Sequence, residues 1–323
     1  MEIACSADAA FLPHVSAMLH SLLTHASRPV RIHLMHGLMH GAELPGEGCA
    51  KVQAVAAQFG AALQFLPVPE ALLAGFPREH FHVAAWYKIL LPQLLPELSR
   101  VLYLDADMIV ADDLASLWDT DLGGKAFAAV TNPIYAFMRP WPRLDLGLEE
   151  PRDYLNSGVL LLDLERMRAD DSIAALLRYA GEHPHNLCPE QDALSAVLRQ
   201  RRLHLHPRWN VQNTVFELPP HQLPFSETQV REALQRPAII HFIGPFKPWH
   251  YLCTHPRRGL YFEHLRRTPW PVTPLQGLTL FNRLLRPLPL AAQHRVLQLQ
   301  QDWRRWRTAP VAGSPAAPGG AAG

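Results

Sequence analysis

Cysteine is scarce in this chain and scattered. Cys5, Cys49, Cys188 and Cys253 form no C-x-x-C pair, which argues against a zinc site and a disulfide scaffold and suits a reducing cytosol. Long apolar runs are missing as well. No stretch of 18 apolar residues occurs, so no membrane-spanning helix is expected. Residues 1–23 lack a basic start, and Glu2, Asp8 and His14 interrupt any apolar core, so a signal peptide is not expected. Charge of one sign is absent overall: 30 Lys+Arg against 29 Asp+Glu give +1, which offers no reason to propose nucleic acid as a partner. No internal repeat is visible. The expected location is the cytoplasm.

What is present fits a large soluble fold. The 323 residues are 48% hydrophobic and 18% charged, enough to bury one large core with appendages. Residues 2–6 read as a strand, followed by a turn at Ala7-Asp8 and a helix over 12–25. Strands at 30–36 and 63–68 flank a helix over 46–60. A helix over 83–95, interrupted by Pro92, leads into a strand at 101–104. Further strands are expected at 127–131, 154–163, 203–206 and 238–242, with helices over 170–181 and 190–200. Residues 132–152, rich in Pro, Trp and Arg, read as a long loop with the character of a lid. Residues 269–289 read as irregular, 291–307 as helical and 309–323 as disordered. Alternating strands and helices imply an α/β fold with a mainly parallel sheet.

The most informative segment is 101–110, Val-Leu-Tyr-Leu-Asp-Ala-Asp-Met-Ile-Val. An Asp-x-Asp tripeptide alone is often only a strand end entering a polar turn. Here apolar residues bracket the pair on both sides, which places Asp105 and Asp107 at the rim of a core. Alternate residues of a strand face one way, about 7 Å apart. If the chain turns after Leu104, the two carboxylates can close on one hard divalent cation, and burying them calls for such a charge. In open α/β sheets ligands sit at the carboxyl ends of strands. Asp8, Asp105, Asp107, Asn156 and His241 all fall at such ends or in the turns beyond them.

These motifs resemble family 8 of the retaining glycosyltransferases, the group with bacterial lipopolysaccharide and lipooligosaccharide α-galactosyl- and α-glucosyltransferases. The resemblance rests on Tyr103-Leu-Asp-Ala-Asp107, Asn156-Ser-Gly-Val-Leu-Leu161 and His241-Phe-Ile-Gly-x-x-Lys-Pro-Trp249, in that order. It extends over residues 1 to about 255 and implies a Rossmann-like, mainly parallel nucleotide-diphospho-sugar transferase sheet of GT-A type. It also implies a UDP-hexose donor, Mn²⁺ with Mg²⁺ as the alternative, and a glycan or glycolipid acceptor.

Carried onto this chain, the resemblance makes Asp105, Asp107 and His241 the metal ligands, a set whose chemistry suits Mn²⁺. Lys247 is implied to hold the diphosphate and Gly244 to let backbone approach a phosphate. Asp8 is implied to bind the uracil with Ser6 and Ala7 lining the base, and Ala106 to contact the ribose. Asn156 and Ser157 are implied to sit near the donor sugar. Gln191 is implied to lie by the anomeric carbon, with Glu190 or Asp192 on sugar hydroxyls. A helix start with Pro189 at its first position also explains Glu190, Gln191 and Asp192, and for Glu190 the two readings weigh equally. Three positions depart from the family: Lys88 stands where an arginine is usual, Ala10 where many members are polar, and Glu190 where aspartate is common. Lysine keeps the charge but loses the bidentate fork.

Two other function classes compete. A sugar-nucleotide-binding protein with altered or lost turnover would accommodate Lys88 and Ala10, but Asp105, Asp107, His241 and Lys247 speak against it. A nucleotidyltransferase should carry a glycine-rich loop after the first strand, and Cys5-Ser-Ala-Asp-Ala-Ala10 has no glycine. Residues 1–268 are expected to form the catalytic domain, 269–308 a basic amphipathic extension and 309–323 the tail. Residues 280–307 hold six arginines against Asp302, for +5. In the helix over 291–307, Ala292, Val296, Leu299, Trp303 and Trp306 recur at helical spacing, a stripe suited to the protein's own core or to an anionic membrane surface. The resemblance favours peripheral contact with the inner face of the cytoplasmic membrane.

Overall fold

The computed structural model describes residues 1–37, 44–73, 76, 83–133, 146–184, 188–289, 292–293, 295–296 and 299. Most of the expected 132–152 loop, the 309–323 tail and Trp303 and Trp306 lie outside the described residues. The chain divides into two compact units: Met1–Pro248 with Cys253–Thr273, and Trp249–Leu252 with the described residues from Pro274 onward. Among the described residues no helix is long and apolar enough to cross a membrane.

The first unit is built on a seven-stranded sheet, ordered β3-β2-β1-β4-β7-β6-β8. Its strands are β1 (Glu2–Ser6), β2 (Arg31–His36), β3 (Ala62–Pro67), β4 (Arg100–Leu104), β6 (Phe127–Thr131), β7 (Leu155–Asp163) and β8 (Arg202–His204). Neighbours run parallel except at β7, which is antiparallel to both β4 and β6. Both faces are buried, so the strands carry near-continuous apolar runs. Alternation still sorts the side chains. Ile3, Leu102, Leu104, Val159 and Leu161 enter one core cluster, while Ala4, Val101, Tyr103, Leu160 and Leu162 enter the other.

Helix α1 (Leu12–His25) covers the first face with Leu12, Val15, Leu19 and Leu22, spaced three and four apart. α2 (Gly46–Gln58) joins it through Val52 and Val55. On the second face the expected helix over 83–95 is mostly a 3₁₀ segment, Val83–Leu90, with an α-turn at Leu91–Leu94. Trp86 with Ile89 and Tyr87 with Leu90 are buried pairs three apart, the spacing that a 3₁₀ helix stacks on one face.

Several elements depart from the sequence reading. A helix at Leu164–Ala169 follows β7 directly, its N-terminus capped by Asp163, whose side chain accepts from Arg166 N–H at 2.8 Å. A helix at Glu227–Gln235 starts with a Ser226–Gln229 capping box, and another spans Arg258–Leu265. The expected irregular stretch 269–289 contains a helix at Leu280–Leu285, capped by Thr279. A small second sheet joins β5 (Met108–Val110), β10 (Ile239–His241) and β9 (Val211–Gln212), with β10 central.

Candidate active site

The reversed direction of β7 creates the site. Because β7 is antiparallel to β4, its beginning lies beside the end of β4, pairing Leu104 with Val159. The ladder continues one bond further, from Asp105 N–H to Gly158 O at 2.9 Å. Asn156, Ser157 and Gly158 thus meet Asp105 on the same edge of the sheet. The chain then leaves the main sheet at Asp105-Ala106-Asp107 and enters the small one as β5. There Met108 pairs with His241, and Phe242 N–H donates to Asp107 O at 3.1 Å. This turn brings a histidine from more than a hundred residues away onto the carboxylate pair.

Asp105, Asp107 and His241 place one ligand atom each within 4.8 Å of one another. His241 Nε2 lies 3.2 Å from Asp107 Oδ1 and 3.9 Å from Asp105 Oδ2. Two carboxylates and an imidazole form a donor set that fits a divalent cation such as Mn²⁺. Packing fits it too. A Cβ on Gly158 would come within 2.4 Å of His241 Cε1, 2.7 Å of Met108 Cε and 2.8 Å of Asp105 Oδ2, so only glycine lets β7 close on the cluster.

Two lysines flank the carboxylates. Lys247 Nζ donates to Asp107 Oδ2 at 2.5 Å and to Phe242 O at 2.7 Å. Burial pushes the Asp107 carboxyl up, but Lys247 and His241 outweigh it and hold the group far below the usual carboxylate range. Lys88 is only 3% exposed. Its ammonium donates to Asp105 Oδ1 at 3.2 Å, Ser157 O at 3.2 Å and Ser157 Oγ at 3.3 Å, and lies 3.7 Å from Glu190 Oε1. Burial works against that charge, yet Asp105 and then Glu190 raise its pKa above the ordinary lysine value.

The helix Pro189–Leu198 packs against β7 and supplies the other wall. Glu190 Oε1 accepts from Ser157 Oγ at 3.0 Å. Gln191 is held at both ends: its Oε1 accepts from Ser157 N–H at 3.2 Å and its Nε2 donates to Tyr154 Oη at 2.7 Å. Asp192, named with Glu190 as the alternative for sugar hydroxyls, points inward. It is fully buried, and its oxygens accept from Tyr154 O–H at 2.7 Å and Cys188 N–H at 3.2 Å. Burial pushes its carboxyl up to about 6. Asn156 also faces inward, its Oδ1 accepting from Gly158 N–H and Asn210 Nδ2.

Ser6 joins the site through Tyr103, whose hydroxyl donates to Asp105 Oδ1 at 2.8 Å and lies 3.1 Å from Ser6 Oγ. Asp8 Oδ1 accepts from Phe11 N–H at 2.8 Å just before α1, a helix-start bond. Ala7 and Ala106 are buried at the two turns. Gly244 adopts φ +81, the left-handed conformation that favours glycine. Sequence reasoning missed Tyr103, Tyr154, Gly158 and Asn210. Tyr103 was findable, since it sits two residues before Asp105 and therefore faces the same side of the strand. The segment around Asn210 carries no motif.

A mixed seven-stranded sheet with this cluster at the strand ends is the GT-A type of fold. The sequence profile described as Glycosyl transferase family 8 matches residues 2–253, and the chain belongs to that family. General stress protein A of Bacillus subtilis (strain 168) is 29% identical over 280 residues, covering 84% of this chain and 94% of that protein. Lipopolysaccharide 1,2-glucosyltransferase of Escherichia coli (strain K12) is 26% identical over 196 residues, 58% of this chain and 55% of that protein. Among solved structures, galactosyltransferase LgtC in complex with donor and acceptor sugar analogues superimposes with TM-score 0.72 at 23% identity, covering 84% of this chain and 97% of that one. Membership implies a sugar-nucleotide donor and a glycan acceptor.

Proposed function

We propose that the protein is a metal-dependent, retaining hexosyltransferase that moves galactose or glucose from a UDP-hexose to a lipopolysaccharide-core or related glycan. The observation that carries this reading is the convergence of Asp105, Asp107 and His241 in a family 8 chain. These three residues would hold Mn²⁺, which when bound supplies positive charge to the leaving diphosphate. The names of similar proteins, a lipopolysaccharide glucosyltransferase and a galactosyltransferase, support a hexose donor of one of these two kinds.

The residues of the chain itself divide the remaining work. Lys247 lies within reach of the same charge and turns from Asp107 to the diphosphate when the donor enters. Asp8, with Ser6, Ala7 and Ala106, forms the uridine end, and Gly244 gives the phosphates access to backbone. Lys88 neutralises Asp105 and Glu190 and orients Glu190 toward the donor hexose beside Ser157. Gln191 lies at the anomeric end, and its amide is a poor nucleophile already bonded at both ends. Retention therefore proceeds by attack from the leaving-group face, with a diphosphate oxygen taking the acceptor proton.

The C-terminal region supports contact with an anionic membrane surface. Leu280 is 73% and Leu284 69% exposed on a short helix that also carries Arg283, apolar and cationic groups together. The test of the enzymatic reading is UDP release from a panel of UDP-sugars with Mn²⁺ and a lipopolysaccharide-core acceptor. UDP-galactose or UDP-glucose should be turned over, and chelation should stop the reaction. No turnover with any UDP-hexose would overturn the assignment.

A further inference from the structure

His241 can ligate a cation through Nε2 only if its hydrogen sits on Nδ1, and the structure contains a device that decides this. The starting point is Gly158 N–H, which donates to Asn156 Oδ1 at 3.0 Å. A backbone N–H can only donate, so the Asn156 atom that it meets is the carbonyl oxygen. That oxygen also lies 2.7 Å from the side-chain amide of Asn210, which must therefore present its NH₂ there. The other end of Asn210 is then the carbonyl, and it lies 3.0 Å from His241 Nδ1. A carbonyl only accepts, so Nδ1 carries hydrogen.

We propose that Asn156 and Asn210 are positioning residues forming a polarity relay that reads the direction of one backbone N–H and holds hydrogen on His241 Nδ1. Nε2 is thereby left to face Asp105 and Asp107. The inference rests on the reading of those three residues as a metal site. Asn156, Asn210 and His241 are 6%, 0% and 4% exposed, so losing a partner leaves a buried polar group unpaired. The relay has a specific opponent. Asp107 Oδ1, 3.2 Å from Nε2, attracts a hydrogen to that nitrogen, and an imidazole free to choose would place its single hydrogen there and present no lone pair to a cation. Outer partners of ligating histidines commonly fix the tautomer in this way. Here the fixing element is traced back through two amides to the strand that closes on the site, which assigns Asn156 a role other than sugar contact.

The experiment combines ¹⁵N NMR of histidine-labelled protein, with and without saturating Mg²⁺, and Mn²⁺ affinity from the electron paramagnetic resonance signal of free Mn²⁺. In the wild type Nδ1 of His241 should be protonated in both states. A neutral ring with bare Nδ1 would overturn the relay without any variant being made. Asn156→Ala should weaken Mn²⁺ about 10- to 100-fold, with the hydrogen of the neutral ring shifting to Nε2. Asn156→Asp keeps an oxygen for both donors and should stay within a few-fold of wild type, which a generic packing role does not predict. Wild-type affinity in Asn156→Ala with an unchanged Nδ1 signal would remove the relay and leave the metal site standing. Absence of Mn²⁺ binding by the wild type would instead remove the metal reading on which the relay rests.

Discussion

At the scale of single residues, charge balance decides which substitutions are informative. Truncating Asp105 to alanine would leave Lys88 buried beside Glu190 alone, and breaking a buried pair commonly costs about 3–5 kcal/mol. Asp105→Asn removes the same charge but keeps an amide oxygen that accepts from Tyr103 or Lys88, so it should cost less stability than alanine. It should fold while losing Mn²⁺ binding and about 10²- to 10³-fold in kcat; calorimetric metal titration beside thermal unfolding checks both. Gly158→Ala should fail differently, since its Cβ would lie 2.4 Å from the His241 ring. Overpacking of this kind costs about 1–3 kcal/mol, and metal affinity should fall with stability in the same titrations. Lys88→Arg must fit a larger head into a slot that is 3% exposed, so a changed UDP-galactose to UDP-glucose ratio is expected in a competition assay. The candidate ligands were legible, Asp105 and Asp107 as a local Asp-x-Asp pattern between apolar residues and His241 through the family resemblance. Asn210 was not, because its importance lies in two partners, 54 and 31 residues away.

At the scale of elements, the beginning of the helix Pro189–Leu198 serves both folding and the site. Asp192 has its carboxyl pushed up to about 6, mainly by burial, with Glu190 adding to the effect and Tyr154 and Cys188 opposing it. An unfolded aspartate titrates near 3.9. The folded state therefore holds the proton more tightly, and the associated stability is fully present below about pH 4 and is lost as pH rises through about 6. Asp192→Asn cannot ionise, so it should gain on wild type by about 2–3 kcal/mol between acid and neutral pH; urea midpoints at both ends of that range measure it, and parallel curves would contradict it. Ser226→Ala should cost about 1 kcal/mol by removing a cap. That capping box, Ser-x-x-Gln, was readable in the sequence. The antiparallel direction of β7 was not, because strand–helix alternation gives no sign of which strand reverses. The reversal nevertheless brings Ser157 and Gly158 to Asp105.

At the scale of the whole molecule, family and fold class followed from a few motifs, whereas the C-terminal region was legible only as charge and a stripe. Its exposed Leu280 and Leu284 add an apolar surface that the spacing at 291–307 did not announce. Flotation with vesicles containing anionic lipid should carry the full chain upward, and Leu280→Glu with Leu284→Glu or high salt should release it; equal flotation with zwitterionic vesicles would contradict an electrostatic contribution. The proposal at its core is narrower: Asp105, Asp107 and His241 would hold the cation that faces the donor diphosphate. Anomalous diffraction from crystals soaked with Mn²⁺ and UDP tests it most directly. A single strong peak bounded by Asp105, Asp107 and His241 Nε2 is expected, with the UDP phosphates beside it. UDP bound with no manganese peak there, or with the peak elsewhere, would contradict it.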